Sequence, residues 1–293
     1  MTPLCLAALF VGADPEPAAY PVGPAVSHRR FGPGPVAKIK AAAAALKLFG
    51  TVPPGGPSYL YRGAYAEDDI IRLPALGYEP QPGDMAFAAD GSVFWTLMHN
   101  LAGTSHPTHS MIVFAHPDGR TAILEGGPHD TLKCRVLETV PHLASYEAVG
   151  RVWVRRRACP LTPEQSARLT EFCLAVRDRD FSLRRLAVQL TPLRTRGPVK
   201  TAFVGRPRGL DREGYFCSEL VAEACVYAGL LDPRTTRPSA TYPRDLFFGR
   251  SPNPYLNRHL KAMNGPWDPP ARWTGRPIGL PVEVAPGTGQ NEP

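Results

Sequence analysis

The sequence predicts an α+β fold in which an antiparallel sheet packs against a helix that carries a cysteine in its first turn. Two stretches predict it. Residues 109–115 (His-Ser-Met-Ile-Val-Phe-Ala) and 121–125 (Thr-Ala-Ile-Leu-Glu) are apolar runs joined across Pro117-Asp118-Gly119, the composition of a β-hairpin. Downstream of Tyr215-Phe216-Cys217-Ser218-Glu219, the apolar residues Leu220, Val221, Ala224, Cys225 and Ala228 fall at i, i+1, i+4, i+5 and i+8. That spacing marks one face of a helix, closed by Gly229. Cys217 then stands where unpaired backbone N–H groups and the positive end of the helix dipole meet, a place that favours a thiolate over a thiol.

The other elements follow in chain order. Leu4 to Val11 is a short apolar run before Ala-Asp-Pro-Glu-Pro-Ala-Ala; it is similar to a signal peptide but lacks a basic n-region. Residues 12–35 are rich in Pro, Gly and Ala and read as a linker, and Val36 to Phe49, with five consecutive alanines, reads as a helix. Pro53-Pro54-Gly55-Gly56-Pro57 breaks the chain. Pro82 and Gly83 turn it into a short strand at Asp84-Met85-Ala86-Phe87, and an aromatic-rich stretch, Val93-Phe94-Trp95-Thr96-Leu97-Met98, comes next.

Within the hairpin, alternation puts His109 on one face with Met111 and Val113, and Glu125 on one face with Ile123 and Thr121. If residue 116 pairs with residue 120, Glu125 lies opposite Met111 and is a diagonal neighbour of His109, at roughly 7–8 Å between backbones. A slip of one residue would separate the two.

Val149 to Arg155 is a further strand. Thr162-Pro163-Glu164-Gln165 starts a helix, with Thr162 as N-cap, Pro163 at the first helical position and Gln165 closing a capping box; the helix runs to about Arg177. Arg184 to Gly214 is basic and irregular, either a lid or part of a substrate wall. From Ser251 a Pro-rich stretch with Trp267 and Trp273 reads as an extended wrap ending in a tail. The organisation is thus a leader and linker over 1–35, a catalytic domain over 36–250 and a C-terminal extension over 251–293, with no internal repeat.

Composition bounds the function. A chain of 293 residues with 43% apolar content buries a full core, and the even spread of apolar segments argues for one principal domain. The net charge of +7 comes from arginines scattered through 151–157, 177–196 and 206–212, without a nucleic-acid motif, so a solvated basic surface is expected rather than a nucleic-acid partner. The cysteines at 5, 134, 159, 173, 217 and 225 show neither C-x-x-C nor zinc spacing, so neither a metal site nor a disulfide framework is expected. No run approaches the ~20 apolar residues of a bilayer span. The compartment, cytoplasmic or exported, and the oligomeric state stay open.

The order of parts, Gly83-Asp84-Met85-Ala86-Phe87, then His109-Ser110-Met111-Ile112-Val113, then Ile123-Leu124-Glu125, then Tyr215-Phe216-Cys217-Ser218-Glu219-Leu220-Val221, resembles the circularly permuted NlpC-type papain-like hydrolases. In that branch the histidine strand precedes the cysteine helix. Tyr242-Pro243-Arg244-Asp245-Leu246 is similar to the Pro-x-Asp-Leu element that follows the cysteine helix in the group. The resemblance covers roughly residues 80–250. It implies a permuted papain-like fold with Cys217 as nucleophile, His109 as general base and Glu125 as the polar group that orients the imidazole. The residue types agree with that chemistry independently, since a thiolate attacks an acyl carbon and a carboxylate fixes the tautomer of its base.

Each residue also has a plainer reading. Cys217 competes with buried helix cysteines such as Cys225 and Cys173, and His109 with His99, His106 and His116. Glu125 is either the third member of the triad or a strand-end carboxylate. Asp84 is either a turn cap or a ligand for a substrate amine, Tyr215 either lines the oxyanion site or packs on the sheet, and Trp95 with Phe94 is either core or groove wall.

The expectation is a cofactor-independent thiol hydrolase that opens a peptide or peptidoglycan-type amide through an acyl-enzyme, with Tyr215, Asp84 and Trp95 as its substrate contacts. Two alternatives stand beside it. One is a lipid acyl hydrolase or acyltransferase resembling the lecithin-retinol acyltransferase branch, which usually has a second histidine where this chain has Glu125. The other is a binding module that keeps the fold without catalysis.

Overall fold

The structure is a computed structural model, described here over residues 58–62, 76–89, 92–127, 131–191, 193–197 and 199–275. The leader, the linker, the alanine-rich helix expected over 36–49 and the end of the C-terminal tail lie outside these residues. What is described is α+β, built on a ten-stranded and mostly antiparallel sheet.

The strands are β1 (Ser58–Arg62), β2 (Leu76–Tyr78), β3 (Met85–Ala89), β4 (His109–Ala115), β5 (Thr121–Gly127), β6 (Lys133–Glu138), β7 (Arg151–Arg155), β8 (Asp180–Phe181), β9 (Gly214–Tyr215) and β10 (Ala271–Thr274). Their order across the sheet is β2-β1-β10-β7-β3-β4-β5-β6-β8-β9, with a parallel pairing at β8/β9. The central strands β3, β4 and β5 are buried nearly throughout, which is why they read as continuous apolar runs. β4 pairs with β5 through Ile112↔Leu124 and Ala115↔Thr121, and His116 N–H donates to the carbonyl of Arg120 at 2.8 Å. The register assumed from the sequence is the one observed.

The helices are α1 (Val93–Leu101), α2 (Thr139–Val149), α3 (Pro163–Ala175), α4 (Leu183–Val188), α5 (Lys200–Phe203), α6 (Cys217–Tyr227), α7 (Pro243–Phe248) and α8 (Asn257–Leu260). α3 begins with the expected capping box: Thr162 Oγ accepts from Gln165 N–H at 3.2 Å and Gln165 returns the bond to Thr162 N–H at 3.1 Å. α6 is followed by Gly229 at φ 72°, the left-handed position a glycine takes without steric cost.

Two apolar layers hold the helices to the sheet. On one face, Ile112, Phe114 and Leu124 pack with Leu169 and Phe172 of α3 and with Leu220, Val221 and Ala224 of α6. On the other, Met111, Val113 and Ile123 pack with Val140, Leu143 and Tyr146 of α2. Each fully buried Leu or Val in these layers contributes about 1.5–3 kcal/mol relative to an exposed one.

Three features differ from the sequence reading. The aromatic-rich stretch after β3 is the helix α1, begun by Ser92, whose Oγ accepts from Trp95 N–H at 3.4 Å. β6 and α2 had no strong signal, since Pro141 in the first turn of α2 and its weak apolar periodicity obscure it. Residues 251–275 are more than a wrap: β10 lies inside the sheet, pairing with β1 on one side and β7 on the other.

Candidate active site

The expected nucleophile and base meet at the start of β4 and the end of β5, where the first turn of α6 approaches the sheet. Two glycines at the end of β5 make the approach possible. A Cβ on Gly126 would stand 3.1 Å from Cδ2 of Leu220, and a Cβ on Gly127 would stand 2.8 Å from Cε1 of His109. Glycine at 126 therefore lets α6 settle on the sheet, and glycine at 127 leaves room for the imidazole.

His109 interacts with Cys217 and is hydrogen-bonded to Glu125, its Nε2 3.1 Å from Glu125 Oε2. Burial opposes charge on this ring, yet the hydrogen bonds and charges of Cys217 and Glu125 outweigh it and hold the His109 pKa up at about 10. Glu125 is itself buried, which alone would raise its carboxyl, but the imidazoles of His109 and His142 keep it well below the usual carboxylate range. Cys217 is 8% exposed, enclosed but not sealed.

Two members of this cluster were not found in the sequence. His142 of α2 brings its Nε2 to 2.9 Å from Glu125 Oε2, and Tyr146, one turn on, donates its hydroxyl to the same oxygen at 3.1 Å. The Tyr146 ring also stacks on His109, with centroids 5.6 Å apart and planes 23° from parallel. Spacing i and i+4 on one helix gives both residues one face, a signal legible only once α2 is known to be a helix over β5.

The competing histidines have other partners. His116 sits in the hairpin turn 2.9 Å from Asp118, His99 Nδ1 is 2.8 Å from the carbonyl of Trp95, and Thr96 Oγ1 is 3.5 Å from His106 Nε2. The other cysteines are set apart too. Burial pushes the thiols of Cys134 and Cys225 up to about 12 and that of Cys173 well above its ordinary value, while Cys159 is exposed.

Of the three expected substrate contacts, the structure brings only Trp95 to the site. It lines an apolar cleft beside Cys217 together with Met98, Leu186, Leu190, Phe216 and Pro243. Tyr215 is instead fully buried, donates its hydroxyl to the carbonyl of Gly209 at 2.6 Å and packs edge-on against Phe172. The strand alternation that carries Cys217 to the helix start turns Tyr215 into the core. Asp84 lies at the opposite end of β3 from the residue paired with His109, which is Ala88. It is fully buried and accepts from Tyr78 Oη at 2.7 Å, Gln81 N–H at 3.1 Å and Arg157 N–H at 2.6 Å. It closes a turn onto β7 and is not among the residues that line the cleft beside Cys217.

The basic stretch after β8 forms the far wall of the cleft through α4. Glu219, buried in the first turn of α6, pairs with Arg185 of α4, which also donates to the carbonyl of Gly214 at 3.0 Å. Asp245, in the Pro-Arg-Asp-Leu turn that opens α7, caps Tyr242 N–H at 2.9 Å and takes a two-pronged contact from Arg196. The two carboxylates thus fix the wall to α6 and α7, on either side of the nucleophile.

No protein-family model matches the chain, and no curated protein matches it. Among solved structures, the crystal structure of metalloprotein YiiX from Escherichia coli O157:H7 (DUF1105) is a distant likeness at 17% identity, covering 52% of this chain and 67% of that one with a TM-score of 0.35.

Proposed function

We propose that the protein is a thiol-dependent acyl hydrolase or acyltransferase of the permuted papain-like kind, working through a Cys217 acyl-enzyme. The observation that carries the reading is that His109, hydrogen-bonded to the buried Glu125, stands beside Cys217 at the start of α6 and interacts with it. A scaffold has no need of a buried imidazole held charged beside a thiol at a helix start.

In this reading the Cys217 sulfur attacks the substrate carbonyl carbon, and its electron pair forms the carbon–sulfur bond. His109 gives its proton to the departing nitrogen or oxygen, releasing an amine or alcohol and leaving a thioester. Water, or another hydroxyl, then attacks the thioester carbon while His109 takes its proton, and the acyl product leaves as the sulfur is restored. The first N–H groups of α6, which have no partner inside the helix, face the carbonyl oxygen as it becomes negative. Glu125, held by His109, His142 and Tyr146, fixes the ring that does this work.

The resemblance points to a peptide or peptidoglycan-type amide; the cleft favours an apolar acyl group instead. Its wall of Trp95, Met98, Leu186 and Leu190 offers dispersion contacts and few polar partners for a peptide backbone. His142 bears on the same choice, since a second imidazole stands against Glu125 here in addition to the carboxylate.

The test compares purified protein on acyl esters and acyl amides of increasing chain length and on cell-wall peptides, with intact-mass detection of a thioester. Turnover should rise with chain length and survive EDTA. Cys217→Ala should abolish it, whereas Glu125→Gln should lower it by roughly 10–1,000-fold. Full activity in Cys217→Ala, or activity lost with EDTA and restored by zinc, would overturn the thiol mechanism.

A further inference from the structure

Large apolar side chains exposed to solvent are few in the described residues, and they are not scattered. Nine of eleven fall in two segments: Val93, Phe94, Leu97 and Leu101 of α1, and five side chains between Leu183 and Val204. Phe94 is 60% and Phe203 75% exposed. A monomer seldom leaves so much apolar surface uncovered in one place without a partner for it.

The two segments meet. Arg194 donates to the carbonyl of Ala102 at the end of α1 at 3.4 Å, and α1 and α4 face each other across the cleft that holds Cys217. The other side of α4 opens on a groove lined by Arg185, Phe203, Val204, Arg206 and Arg208. Apolar and cationic groups are therefore interleaved around the cleft mouth.

The charges are of one sign. Residues 181–210 contain seven Arg or Lys and neither Asp nor Glu, and residues 92–108 contain none of the four. Arg185 and Arg196 are tied to Glu219 and Asp245, but Arg184, Lys200, Arg206 and Arg208 are exposed. Interleaved phenylalanine, leucine and unopposed cations suit an interface of acyl chains under anionic headgroups, where apolar groups enter and cations stay at headgroup level. Bare nucleic acid would leave the apolar part uncovered, and a second copy would set like charges against each other.

We propose that α1 and the 183–208 segment form a docking face for an anionic lipid bilayer surface, which sets the mouth of the Cys217 cleft against the membrane. No helix among the described residues is long and apolar enough to cross a membrane, so the contact is at the surface. The proposal goes beyond the acyl-transfer reading, and its test requires no turnover.

The full chain is sedimented with vesicles of phosphatidylglycerol and phosphatidylcholine, and with vesicles of phosphatidylcholine alone. Binding should be at least about tenfold stronger to the anionic vesicles and should fall steeply by about 0.5 M salt. Phe94→Asp with Leu97→Asp, and separately Phe203→Asp, should each lose about tenfold or more in vesicle binding while iodoacetamide labelling of Cys217 and the melting temperature stay unchanged. No binding, equal binding to both vesicle types, or self-association removed by the same substitutions would overturn the proposal, the last by making a second copy the occupant. Vesicle binding without activity on any acyl substrate would leave docking standing and remove the enzyme reading.

Discussion

His109 and Gly127 touch: a single added carbon on the glycine would stand 2.8 Å from Cε1 of the imidazole, closer than side-chain carbons approach their neighbours. The glycine is needed for the space it leaves, and the ring that uses this space is hydrogen-bonded to Glu125 and interacts with Cys217.

Replacing Gly127 with Ala should therefore move the base and leave the fold intact. We expect a fall in kcat/KM of about 10–100-fold, the scale for a reacting group displaced by about an ångström. The melting temperature should shift by no more than a few degrees. Steady-state kinetics beside a thermal melt checks this, and unaltered activity would show that the ring does not need its position.

His109 should carry its proton well past neutrality. Its pKa is raised from 6.5 to about 10 by Cys217 and Glu125, against the opposing effect of burial. A raised base stabilises the fold fully below its unfolded value and loses that contribution as pH climbs through the folded one. The stability advantage of the wild type over His109→Ala should thus be largest below about pH 6.5 and shrink toward pH 10, as denaturant melts at several pH values will show. NMR titration of the imidazole in Cys217→Ala should find the ring deprotonating at lower pH than in the wild type.

Among the described cysteines, Cys217 should react fastest with iodoacetamide at about pH 6–7, by virtue of the helix start and the adjacent imidazolium. Cys134, Cys173 and Cys225 are buried with raised thiols. Cys159, which is exposed, is the informative rival. Peptide mapping after brief labelling decides between them, and Cys159 labelling first would remove the nucleophile assignment.

Asp84→Ala should act on stability alone. It leaves the donors Tyr78 Oη, Gln81 N–H and Arg157 N–H without their buried acceptor, a loss of about 2–4 kcal/mol. Activity per folded molecule should persist. A raised KM at unchanged stability would instead return Asp84 to the substrate site.

What the sequence determined by itself is local or short in range. The hairpin register follows from alternation across a short turn, and that register brings Glu125 to His109; capping chemistry marks the start of α3, and apolar periodicity marks α6 with Cys217 at its head. Contacts between distant segments left no such trace. α2 reads weakly as a helix, so His142 and Tyr146 become visible only when it packs on β5. Tyr215 and Asp84 lie in site-like motifs, but burial direction depends on what covers each face, and both point into packed interior. The apolar mouth around Cys217 is likewise a tertiary product, because five of the ten strands separate α1 from the 183–208 segment in the chain and the two share a surface only once the sheet has folded.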